Sequence, residues 1–129
     1  MHSVGHVVLV VEDDEGIRSL VVDFLRDEQI RAEEARDGAE ALGLVEAYRP
    51  LSRRVCLILM DLMLPHVTGV DVIRHVRSLG DSVPIVALSA SRTHLAEAML
   101  AGANIAIAKP FDIEQILSVV TSQCPHGHD

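Results

Sequence analysis

Residues 55–61 read Val-Cys-Leu-Ile-Leu-Met-Asp, six apolar residues that run straight into an acid. An uninterrupted apolar run of this length reads as a strand of a parallel sheet, covered on both faces. Working outward, the pattern returns. Val7–Val11 is a short Val/Leu run ending in Glu12-Asp13-Asp14, Pro84–Leu88 ends at Ser89, and Asn104–Ala108 ends at Lys109-Pro110. Ile30–Ala35 is a weaker, more polar strand that suits a sheet edge.

The segments between these runs have helical spacing. Ile17, Leu20, Val21, Phe24 and Leu25 recur on one face. Ala41, Leu42 and Val45 follow the Asp37-Gly38 turn and must stop before Pro50. Val70, Ile73, Val76 and Arg77 mark a third helix ended by Gly80, and Leu95–Leu100 a short one closed by Gly102. Ile113, Ile116, Leu117 and Val120 make the last. Five strands alternating with five helices predict an α/β fold, a parallel sheet with right-handed crossovers and helices on both faces. Of the two strand orders common in such sheets, five strands suit the flavodoxin-like order 2-1-3-4-5, a three-layer (βα)5 sandwich.

A chain of 129 residues with 49% hydrophobic residues fits a single domain with a buried core, expected over about residues 6–122 with a flexible, solvated tail at 123–129. Aromatics are only 2%, so that core is aliphatic. The net charge of −8 gives no attraction to nucleic acid or anionic membrane, and no helix-turn-helix segment is visible. Cys56 reads as a small core residue and Cys124 lies near the C-terminus. Nothing suggests a disulfide framework, so a reducing compartment is the simpler reading. The N-terminal apolar run is too short for a membrane span and lacks the features of a signal peptide, which points to the cytoplasm.

The placement of polar residues is the informative feature. Four strands end in groups capable of chemistry: Glu12-Asp13, Asp61, Ser89 and Lys109. In a parallel sheet all C-terminal strand ends share one edge, where ligands bind. Clustered carboxylates raise the pKa of at least one member unless a cation intervenes. Mg²⁺ suits a few carboxylates, a carbonyl, waters and a phosphate oxygen. A carboxylate beside Mg²⁺ can take a phosphoryl group, with a lysine and a hydroxyl meeting the charge on the transferring oxygens. Taken singly, each residue has a plainer reading: helix capping for Glu12-Asp13-Asp14, a turn for Asp61, a helix start for Ser89, a surface charge for Lys109. Their coincidence at one edge argues against all four together.

Five segments carry a family likeness: LVVEDDEGIR (Leu9–Arg18), ARDGAEAL (Ala35–Leu42), LILMDLMLPHVTG (Leu57–Gly69), PIVALSA (Pro84–Ala90) and GANIAIAKPF (Gly102–Phe111). In this order they resemble the receiver domain of response regulators, over about Val7–Val120. The resemblance implies that Asp61 is the phosphoacceptor, that Asp13 binds Mg²⁺ directly and Glu12 through water, and that Met63 offers its backbone carbonyl. It implies Ser89 as the switch hydroxyl and Lys109 as the partner of Asp61 or its phosphate, with Pro110 suited to a fixed turn. It also implies a histidine kinase or histidine phosphotransfer protein as donor. A response is expected across the face made by the fourth helix, fifth strand and fifth helix of this reading, roughly Arg92–Ser122, which also offers a homodimer contact.

Three positions depart from the family pattern. Ala106 stands where an aromatic usually reports phosphorylation, Glu12 replaces the commoner aspartate, and Cys56 stands where the third strand usually starts with an acid. Leu62, Met63 and Leu64 are expected to pack under Asp61, and His66, His75 and His94 to be exposed. His126 and His128 read as part of the tail rather than as metal ligands. Met63 and Ser91 flank the site, and Met63 holds an attacking water poorly, so slow self-dephosphorylation is expected. The leading reading is a switch and not a multiple-turnover enzyme. The alternatives are a degenerate receiver used for docking or dimerisation, and an aspartyl-phosphate phosphatase. The phosphatase would want a second acid where the chain has Met63.

Overall fold

A computed structural model describes residues 6–124. The elements run β1 (Val7–Val11), α1 (Glu15–Asp27), β2 (Ala32–Ala35), α2 (Gly38–Tyr48), α3 (Leu51–Arg54), β3 (Val55–Asp61), α4 (Gly69–Ser78), β4 (Ile85–Ser89), α5 (Arg92–Ala101), β5 (Ile105–Ala108) and α6 (Ile113–Gln123). All five strands are parallel, in the order β2-β1-β3-β4-β5. The predicted fold class and strand order are those observed, with the polar β2 at an edge.

The apolar runs are buried on both faces because alternate residues feed two cores. Val7, Leu9, Val11, Ile58 and Met60 pack with α2, α4 and α5. Val8, Val10, Leu57, Leu59 and Val86 pack with α1 and α6 on the other face. Helix starts follow from local chemistry. Asp14 accepts from the Ile17 N–H at 2.9 Å, and Asp37 from that of Glu40 at 2.8 Å. Thr68 and Asp71 form a reciprocal capping box. Gly80, at φ 75°, lies just past the end of α4, a conformation that favours glycine.

Two expectations are corrected. A one-turn helix, α3, precedes β3, so the described residues hold six helices and not five. Its Leu51 is fully buried and its N–H donates to Asp81 Oδ2 at 2.7 Å, tertiary contacts that local sequence does not announce. The helix read as the fourth is therefore α5, and the fifth is α6. Second, Cys56 and Cys124 are joined as a disulfide, not separate. Gln123 closes α6 and Cys124 is buried, so the ordered chain extends past residue 122. The remaining tail, with His126 and His128, lies outside the described residues.

Candidate functional site

Backbone hydrogen bonds carry the ladder past the strand ends and fix where the polar side chains emerge. Glu12 N–H donates to Ala35 O at 3.0 Å, Leu62 N–H to Leu88 O at 3.1 Å, and Lys109 N–H to Ser89 O at 2.9 Å. Gly69 holds the loop after β3 close: a Cβ there would collide with the Asp61 carbonyl oxygen, and its N–H donates to Leu62 O at 3.2 Å. Glu12, Asp13, Asp61 and Lys109 consequently meet at the C-terminal edge of the sheet, at the β1–β3 switch point where strand order reverses, and Ser89 ends the neighbouring β4 on the same edge.

Glu12, Asp61 and Ser89 are 2%, 2% and 0% exposed, so their polar atoms depend on protein partners rather than on water. Lys109 Nζ lies 2.8 Å from Glu12 Oε1 and 3.3 Å from Asp61 Oδ1. The lysine thus sits closer to the second acid than to Asp61. Burial pushes the Glu12 carboxyl up, and although the Lys109 hydrogen bond opposes this, the Asp61 charge adds to it and the pKa reaches about 7. The rise expected for clustered acids is present, with burial as its main cause. Burial pulls Lys109 down, but the hydrogen bond to Glu12 and the Asp61 charge outweigh it and its pKa is raised.

Asp13 is exposed at the rim, while Asp14 caps α1 as expected. Carboxylate oxygens of Glu12, Asp13 and Asp61 lie within 4.8 Å of one another. This all-oxygen set, with more acid than the one ammonium beside it can neutralise, fits Mg²⁺ and not a softer metal. Leu62 and Leu64 are buried as expected, but the Met63 side chain is 56% exposed while its N–H donates to Asp61 Oδ1 at 3.3 Å. Ser89 Oγ accepts from the Ser91 N–H at 3.0 Å. Ala106 lies within β5, paired with Ala87 and exposed.

Two residues gain a place that the sequence reading did not give them. Arg18 donates from Nη1 to the Glu12 carbonyl at 2.8 Å and from Nε to Glu34 at 3.0 Å, tying β1, α1 and β2 together beneath the acids. Its position in the LVVEDDEGIR segment was the available signal. His66 and His75 are exposed as expected, whereas His94 is half-buried. It lines a cavity of about 520 Å³ beside Asp13, with Met63, Thr68 and Arg74, because α5 turns its first residues toward the β3–α4 loop.

The sequence profile of the response regulator receiver domain matches residues 8–121. The chain belongs to the receiver domain family. Response regulator MprA of Mycolicibacterium vanbaalenii is 35% identical over 113 residues, covering 86% of this chain and 47% of that protein. This receiver domain thus spans about half the length of such relatives. Chemotaxis protein CheY4 of Vibrio cholerae superposes with a TM-score of 0.78 at 30% identity, covering 91% of this chain and 97% of that one. The receiver domain of the Saccharomyces cerevisiae response regulator Ssk1, solved with the histidine phosphotransfer protein Ypd1, gives a TM-score of 0.78 at 28% identity, over 90% and 86% of the two chains. The molecule is a receiver domain of the two-component signalling type. Among the described residues no helix is long and apolar enough to cross a membrane.

Proposed function

We propose that Asp61 accepts a phosphoryl group from a phosphohistidine partner, and that the domain works as a switch rather than as a turnover enzyme. The observation that carries this is the buried Asp61 carboxylate held between the Lys109 ammonium and the acids Glu12 and Asp13. An Asp61 oxygen attacks phosphorus, the new O–P bond forms as the P–N bond to the donor imidazole breaks, and the bond pair returns to that ring nitrogen, so the imidazole leaves neutral with the proton already on its other nitrogen. Lys109 meets the charge on the transferring oxygens. Glu12, Asp13, Asp61 and the Met63 carbonyl would hold Mg²⁺, which supplies charge neutralisation for the incoming phosphoryl group.

The partner would dock at the apolar groove next to Lys109, formed by Ile17, Leu20, Ala90, Pro110 and Phe111. Leu20 there is 59% exposed, a large apolar side chain in water beside the reactive edge. The complex of a similar receiver with a phosphotransfer protein supports a partner of that kind. The acidic charge gives no attraction to nucleic acid, and we read the domain as cytoplasmic and without a direct nucleic-acid contact.

The response leaves the site through Ser89 and not through an aromatic ring. A phosphoryl oxygen draws the Ser89 hydroxyl away from the Ser91 N–H, and Ser91 caps α5 through the His94 N–H at 3.2 Å. Losing that acceptor loosens the first turn of α5 and biases the α5–β5–α6 face, where Met99 and Leu100 are exposed and a second copy could pair. Incubation with acetyl phosphate and Mg²⁺ should add about 80 Da to the chain. A folded wild type that gains no mass would refute the proposal.

A further inference from the structure

The two cysteines lie 68 positions apart in sequence and meet through a backbone irregularity. Val7 pairs with Val55 and Val8 with Leu57, so Cys56 is the extra residue of a bulge in the β1–β3 ladder. A bulge re-aims a side chain. Here it sends both Cys56 and Leu57 into the core under α1 and α6, whereas Val55 and Ile58 face the other core. Cys124, the C-cap of α6, enters the same core. The two residues are 7% and 5% exposed, with Cα atoms 5.2 Å apart, inside the range a disulfide spans.

We propose that the Cys56–Cys124 pair is a redox-controlled latch on α6, closed as a disulfide and opened by a dithiol reductant. Its place in the fold argues for this. β3 runs from Cys56 to Asp61, Asp61 meets Lys109, and α6 follows the Lys109-Pro110 loop and ends beside Cys124. With the disulfide formed, the segment from Lys109 to Cys124, which contains α6, is held to β3 at both ends, ionically through Lys109 near the acids and covalently at the opposite edge. With it reduced, the far end is held, among the described residues, by apolar packing such as that of Val120. The acids lie about 17 Å from Cys56 along the strand, so the latch acts on the mobility of α6 and not on the chemistry at Asp61. That the mobility of α6 alters signalling rests on the switch reading of the α5–β5–α6 face. A disulfide within a cytoplasmic protein is more often redox-sensing than structural.

Opening proceeds by thiol–disulfide exchange. Cys56 is the bulged residue of a strand that runs between β1 and β4, whereas Cys124 caps a helix end, which frays more readily. A reductant thiolate therefore attacks the Cys124 sulfur, a mixed disulfide forms, and Cys56 leaves as a thiolate and takes a proton. The reductant's second thiol then attacks its own bound sulfur, closes its own disulfide and releases Cys124 as a thiol. Two electrons and two protons pass from the dithiol to the pair.

The test is hydrogen exchange with mass spectrometry on the full chain, with and without dithiothreitol. Reduction should add about 2 Da and speed amide exchange in residues 113–123 roughly tenfold, leaving β1 unchanged, and oxidised glutathione should reverse both. Cys124→Ser should show the fast exchange without reductant and no response to it. If this variant fails to fold, reduction of the wild type gives the same contrast. The latch is overturned if both thiols still react with a maleimide after oxidation, or if α6 exchanges equally in both states. Acetyl phosphate treatment of the same samples separates the two readings. An exchange contrast without phosphorylation refutes the role of Asp61 alone, and phosphorylation without a contrast refutes the latch alone.

Discussion

The two edges of the sheet handle their polar groups in opposite ways. At the C-terminal edge, one ammonium is shared between Glu12 and Asp61, and burial holds Glu12 far above its ordinary pKa. At the N-terminal edge the polar groups satisfy one another. Arg77 donates to Gly102 O at 2.9 Å, Asp81 O at 2.8 Å and Asn104 Oδ1 at 2.9 Å, while Asp81 accepts from the N–H groups of Leu51 and Val83. The Cys56–Cys124 disulfide belongs to this quiet edge too. Unfinished electrostatics mark the reactive edge, and closed networks mark the edge that holds the fold together.

Substitutions should separate the two edges. The largest effect is expected for Asp61→Asn, which should abolish phosphoryl gain from acetyl phosphate by intact mass while changing unfolding free energy by under about 1 kcal/mol. Arg77→Ala should do the reverse. It removes three hydrogen bonds at the opposite edge, leaving Gly102 O and Asp81 O without this donor while Asn104 Oδ1 keeps the Ile85 N–H. The expected cost is about 3 kcal/mol in urea unfolding, with an unchanged phosphorylation rate per folded molecule. If Arg77→Ala slowed phosphorylation while the protein stayed folded, the division between the edges would be lost.

The reactive edge was readable because a parallel sheet turns one-dimensional order into proximity. Once Val7–Val11, Val55–Asp61 and the two later strands are identified as parallel, Glu12, Asp61, Ser89 and Lys109 must converge. The quiet edge was not readable. Cys56 and Cys124 meet because of a bulge that no alternation pattern shows and a helix end displaced far along the chain. α3 is one turn long, too short for propensity to announce, and exists because Leu51 finds both a core and an Asp81 carboxylate. Within the site, the closer approach of Lys109 to Glu12 than to Asp61 depends on ångström-scale geometry and has no sequence signal.

A finer contrast lies within the reactive edge, between docking and chemistry. Leu20→Asp puts a charge in the apolar groove without touching the acids. Transfer from a phosphorylated histidine phosphotransfer protein should fall about tenfold, near 1.4 kcal/mol, while phosphorylation by acetyl phosphate stays at the wild-type rate. Equal loss with both donors would mean that the groove shapes the site and does not receive the partner.

The smallest effect tests how the acids are held. Arg18 reaches the Glu12 carbonyl with one nitrogen and Glu34 with another, a fork that a lysine cannot reproduce. Arg18→Lys keeps the charge and gives up one of the two contacts. If Arg18 positions Glu12 and does nothing else, the Mg²⁺ concentration giving half-maximal phosphorylation should rise about threefold, and the rate at saturating Mg²⁺ should stay unchanged. A fall in the saturated rate would place Arg18 in the transfer step itself. An unchanged Mg²⁺ requirement would show that the end of β1 is fixed by its backbone bond to Ala35 alone, and that the reactive edge takes its geometry from the sheet and not from the side chains beneath it.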